Sequence, residues 1–77
     1  MRKLLIEVHG FVMLKGLKDG FKYLLIEKNH EKYGLVYEVK KPLGKNTIIM
    51  HYKSSVDNWI NSKSKINYIE ILSEEII

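Results

Sequence analysis

The clearest pattern lies at the start of the chain. Leu4, Ile6, Val8, Gly10, Val12 and Leu14 occupy every second position. Successive side chains of a strand point to opposite faces, so these six would share one face. The other face reads Leu5, Glu7, His9, Phe11, Met13 and Lys15, a mixture. The alternation predicts a strand of about 13 residues, longer than the usual five or six. Gly10 in its middle predicts a bend or bulge, or a division at His9-Gly10.

Gly16-Leu17-Lys18-Asp19-Gly20 reads as a turn, since two glycines and an Asp supply the backbone freedom of a tight loop. A second strand is predicted over 21–28. Its centre, Leu24-Leu25-Ile26, is apolar on both faces, which predicts cover on both sides. Residues 29–34 form a loop. Leu35, Tyr37 and Val39 then alternate with Val36, Glu38 and Lys40 in a third strand. A loop containing Pro42 spans 41–46, because proline donates nothing to a ladder. A fourth strand is predicted over 47–52.

The period then changes. Val56, Trp59 and Ile60 follow the i, i+3, i+4 spacing of a helix face. Ser54, with Asp57 three residues on, resembles an N-cap and capping box. These predict a helix over 55–62, too short to be stable alone and anchored by Trp59. A last strand follows over 66–72.

The expected order is β-β-β-β-α-β, an α+β, β-rich class. Short loops make the first four strands an antiparallel meander. Either an open sheet with the helix on one face or a small SH3-like or OB-like barrel fits. The domain would span 1–73, with 74–77 as a loose C-terminal tail. A chain of 77 residues buries only about 60% of its unfolded surface, so one thin core is expected.

Composition narrows the chemistry. There is no cysteine, so no disulfide or thiolate zinc site can form. The apolar run Phe11-Val12-Met13-Leu14 is far short of a membrane span. The apolar residues after Arg2-Lys3 are broken by Glu7 and His9 too early for a signal peptide, so an intracellular, cytoplasmic protein is expected. The net charge of +4 comes with 12 Lys, one Arg and no Ala. That skew follows A/T-rich coding and weakens charge alone as a sign of nucleic-acid binding. Residues 40–65 nevertheless form a basic band of net +5, and 66–77 are acidic at net −3.

No catalytic motif is present, so no enzyme activity is expected. His9, His30 and His51 include no pair at ligand spacing, so neither metal nor cofactor is expected. Two binding chemistries remain. The last strand could pair with another chain if it forms a sheet edge, and the outer face of strand one could be an apolar patch. The interface residues are then Leu5, Phe11, Met13, Tyr68, Ile69 and Ile71. Alternatively, Lys40, Lys41, Lys45, Lys53, Lys63 and Lys65 could contact phosphates among Tyr52, Trp59 and Tyr68. The first reading predicts a non-catalytic, homodimeric protein-binding module of the accessory or inhibitor kind carried by viruses and mobile elements. The second predicts a sequence-tolerant DNA- or RNA-binding protein.

Overall fold

A computed structural model describes residues 1–41 and 49–77. The elements are β1 (Arg2–His9), β2 (Lys22–His30), β3 (Gly34–Lys40), β4 (Ile49–Tyr52), α1 (Lys53–Ile60) and β5 (Tyr68–Ile76). They form one open antiparallel sheet in the order β4-β3-β2-β1-β5. The meander predicted for β1–β4 is present. The sheet does not close into a barrel, because β4 and β5 end up at opposite edges.

The crossover explains why. Four interstrand spacings of about 4.8 Å separate the edges by about 19 Å. An eight-residue helix covers about 12 Å of that, and residues 61–67 cover the rest. The connection therefore lies across one face of the sheet, and β5 lands beside β1.

Register defines the covered face. Leu4 opposes Leu25, and Ile6 opposes Tyr23. Leu25 opposes Val39, and Val8 opposes Ile69. All of these are buried, with Tyr37 and with Val56 of α1. Trp59, Ile60, Ile49 and Ile71 pack against this core and are partly buried. The predicted helix face is therefore the one that meets the sheet.

Several boundaries differ from expectation. The first strand stops at His9 rather than continuing, because Gly10 adopts φ +74°, a left-handed conformation that ends the ladder. A Cβ at Gly10 would also overlap the Ile66 carbonyl oxygen and Oδ1 of Asn67. Val12 and Leu14 are buried as the alternation implied, but with Leu17, which was expected in a turn, they hang from a loop that folds back over the core. The Gly10 amide donates to Oδ1 of Asp19 (2.8 Å), and the Lys18 amide donates to the Tyr23 hydroxyl (3.1 Å), closing this loop at its base.

The helix begins at Lys53, not residue 55. It is capped by Tyr52 without a side-chain hydrogen bond, so Ser54 is not its N-cap. The cause is direct continuation from β4, which leaves Ser54 inside the first turn. Residues 74–77, expected as a loose tail, mostly belong to β5: the strand runs to Ile76, and the Ile77 amide donates to the Met1 carbonyl (2.9 Å). Among the described residues, no further layer covers the second face of Leu24-Leu25-Ile26. Leu24 and Ile26 are half-buried among the neighbouring side chains of the open face. Of the predicted loop 41–46 and fourth strand 47–52, residues 42–48 lie outside the described residues.

Candidate functional site

The two edges differ in chemistry. β4 is only four residues, Ile-Met-His-Tyr, with no formal charge. Its inner side pairs with β3 from Val36↔Tyr52 to Val39↔Ile49. Among the described residues, no strand pairs with its outer side. A groove of about 500 Å³ runs along this edge. Met50, His51 and Tyr52 of β4 line it, with Met13 and Leu14 from the β1–β2 loop. Tyr33 from the β2–β3 turn closes one end, edge-on to Tyr52 with ring centroids 6.2 Å apart. The loop is held there by a 2.8 Å hydrogen bond from His51 Nε2 to the Lys15 carbonyl. Among the described residues, no formally charged side chain lines the groove. Met13 is 74% exposed and Tyr52 54% exposed, and Tyr33 and Met50 are also exposed. Large apolar side chains are thus left in water around this strand edge.

β5, at the other edge, has nine residues and carries Glu70, Glu74 and Glu75. A register shift beside Leu5/Ile6 leaves Leu72 as the extra residue of a bulge. Charge and a bulge both blunt an edge against pairing.

Of the predicted interface residues, only Met13 lies in the groove. Phe11 is 73% exposed but borders a separate hollow with Leu17, Lys18 and Asp19. Leu5 and Tyr68 sit half-buried on the open face. Ile69 is buried core, and Ile71 packs against that core. The reason is register: Ile69 and Ile71 oppose Val8 and Ile6, so both side chains face the helix-covered side of the sheet. The sequence reading did not bring Met50, Tyr52 and Tyr33 together with Met13 around one groove. Their signal was the uncharged fourth strand, which alternation alone treated as an ordinary member of the meander.

The predicted basic residues divide. Lys40, Lys41, Lys63 and Lys65 lie at the sheet end where β1 stops and β5 starts, joined there by Lys18 and Lys22. Among the described residues none of these six has a carboxylate within ion-pair distance. Lys41 instead lies over the Phe21 ring, 5.5 Å from its centroid. Lys53 is at the opposite end and is committed to Asp57 one helical turn on. Lys45 lies outside the described residues.

That opposite end holds a polar cluster that links five elements. Arg2 Nη2 donates to Glu74 Oε1 (2.9 Å), and Arg2 Nη1 donates to the Tyr37 hydroxyl (3.2 Å). Tyr37 donates to Oδ1 of Asp57 (3.4 Å), which also accepts from Lys53 through its other oxygen. The Arg2 amide donates to Glu27 (3.1 Å). The hydrogen bond to Glu74 holds the Arg2 guanidinium's pKa above its ordinary value, and that to Asp57 does the same for the Lys53 ammonium. Burial, with the nearby Asp57 charge, pushes the Tyr37 phenol up. These hydrogen bonds clamp α1 and β5 onto the sheet.

One further group of donors converges on the open face. Glu7, His9 and Glu70 place one ligand atom each within 4.8 Å of the others. Among the described residues no helix is long and apolar enough to cross a membrane. Comparison of the chain with protein-family models, curated proteins and solved structures found no match.

Proposed function

We propose that this chain is a non-catalytic protein-binding module that docks by strand addition at the outer edge of β4, with a second copy of itself as the occupant. The observation that carries the reading is the unpaired, uncharged β4 edge set in an apolar groove. Main-chain groups of an added strand would complete the ladder, and the groove would take alternate side chains.

The choice of a second copy rests on charge. Antiparallel pairing of Ile49–Tyr52 with itself across a two-fold axis brings no like charges together. The same pairing of β5 would crowd six glutamates, and cross-strand like charges destabilise a sheet. Joining two β4 edges extends two five-stranded sheets into one and buries Met13, Met50 and Tyr52 of both copies. A thin core gains most from such association.

Sedimentation analysis and light scattering test this. The wild-type chain is expected to be a dimer at high micromolar concentration, with β4 amides protected from exchange. Met13→Lys with Met50→Lys, both at exposed positions, is expected to give a folded monomer. A wild-type monomer at that concentration, or a dimer unaffected by the double substitution, would sink the self-pairing reading.

A second reading is supported by the six unpaired lysines at the other end of the sheet, beside the exposed Phe11, Phe21 and Ile66. It is sequence-tolerant nucleic-acid binding through phosphates, with rings available to stack bases. Affinity should fall steeply with salt and weaken on any sequence when Lys40 and Lys41 become Gln. No retention of DNA or RNA at low salt would end it.

A further inference from the structure

β1 and β5 pair with Glu7 directly opposite Glu70 and with His9 opposite Tyr68. Alternation puts all four side chains on the open face, away from α1. Two carboxylates facing each other across adjacent strands repel. Lys22 opposes Glu7 from β2 but forms no ion pair with it. His9 lies between the carboxylates: its Nε2 is 2.9 Å from Glu70 Oε1 and 4.0 Å from Glu7 Oε2. The imidazole is held flat against Tyr68, with ring centroids 4.6 Å apart and planes within 14°. The histidine thus has a set orientation, with one ring nitrogen aimed into the gap between two negative groups.

We propose that Glu7, His9 and Glu70 bind one divalent transition-metal ion, zinc in the first instance. The geometry suits it. Ligand bonds of about 2.1 Å at a tetrahedral angle put donor atoms about 3.4 Å apart. The 2.9 and 4.0 Å separations from His9 Nε2 lie on either side of that value, and all three donor atoms lie within 4.8 Å of one another, so binding would draw the two carboxylates together. The donor types suit it too. An imidazole among carboxylates favours zinc, cobalt or nickel over magnesium or calcium, which prefer oxygen alone. Three protein ligands leave a coordination position open to water. A bound ion would neutralise the facing carboxylates and tie the edge strand β5 to β1, so it would stabilise the fold by linkage. The site arises from register: Glu70 lies 61 residues from His9 in the chain.

The test is titration of the full chain with zinc by calorimetry and with cobalt by visible absorption. His9 ring resonances are followed by NMR, and thermal melts are run with and without zinc. The expected result is one ion per chain, displaced His9 ring signals and a raised melting temperature. Glu70→Gln and His9→Gln should each weaken binding at least tenfold while remaining folded, and His30→Gln should leave it unchanged. No stoichiometric binding at millimolar zinc, unmoved His9 signals in the wild type, or full affinity in Glu70→Gln would each overturn the proposal.

Discussion

Replacing Gly10 by Ala isolates the contact that ends β1. The backbone at Gly10 has φ +74°, where an L side chain costs about 1–2 kcal/mol. The new methyl would also overlap the Ile66 carbonyl oxygen and Asn67 Oδ1, and would sit 2.9 Å from the Ile66 carbonyl carbon. Relieving this means shifting backbone, at roughly 1–3 kcal/mol for overpacking. Displacing Asn67 also breaks the 2.7 Å hydrogen bond that its Oδ1 accepts from the Phe11 amide, about 1 kcal/mol. The smaller entropy of the unfolded alanine chain offsets about 0.4–1 kcal/mol of this. Gly34→Ala supplies the control, because Gly34 has the same φ of +74° with nothing within 4 Å of an added Cβ. The backbone and unfolded-state contributions are common to both variants, so Gly10→Ala should be the less stable by about 2–4 kcal/mol. A 77-residue domain has only about 4–12 kcal/mol in total. Urea unfolding, followed by fluorescence of Trp59, measures the difference. With a slope near 1 kcal/mol per molar, the Gly10→Ala midpoint should lie about 2 M or more below that of Gly34→Ala. Coincident midpoints would refute the claim that Gly10 is required by its approach to the β5 lead-in rather than by its dihedral alone.

Three other outcomes follow from the packing and electrostatics. Val56 is fully buried beneath the sheet, so Val56→Ala should cost about 2 kcal/mol by cavity formation, seen in the same urea assay. Glu38 is buried on the open face with Lys28 Nζ 2.7 Å from Oε2. Lys28→Met should therefore destabilise by strengthening the cost of an uncompensated buried carboxylate, while Lys28→Met with Glu38→Met should recover most or all of the loss, read as a double-mutant cycle. Arg2, Tyr37 and Lys53 all hold their protons more tightly folded than free. The unfolded chain releases these protons first as pH rises, so the stability that Tyr37 and Lys53 confer is complete below about pH 10 and is lost above it, while Arg2 stays protonated through that range. Tyr37→Phe should flatten part of that alkaline decline in melting temperature.

Much of the fold was legible because its signals are local. Alternation at Leu4, Ile6 and Val8, at Tyr37 and Val39, and the helical spacing of Val56, Trp59 and Ile60 each arise within a few residues of backbone geometry. They identified five strands, one helix and the core-facing residues of β1, β3 and α1, whereas Ile69 and Ile71 of β5 were assigned to an interface. Local signals were weaker where the chain changes state. Val12 and Leu14 keep the alternation of β1 although they belong to a loop, since a loop folding back on a core needs apolar residues there as much as a strand does. Ser54 carries the right side chain for a cap, but continuation from β4 placed it inside the helix.

The sequence by itself determined the strand and helix segments, the buried face and the uneven distribution of charge. Only the tertiary structure decided which strands lie at the edges, and with them every candidate site. The crossover of α1 put β5 beside β1, which turned Ile69 and Ile71 toward the core, set Glu70 opposite Glu7 and brought Glu74 to Arg2. It left β4 as the uncharged edge with Met13 and Tyr33 around it. These are pairings between residues tens of positions apart. A side-chain period records which face a residue takes, not which strand comes to lie next to it, and that choice is made by the length and path of the connection across the sheet.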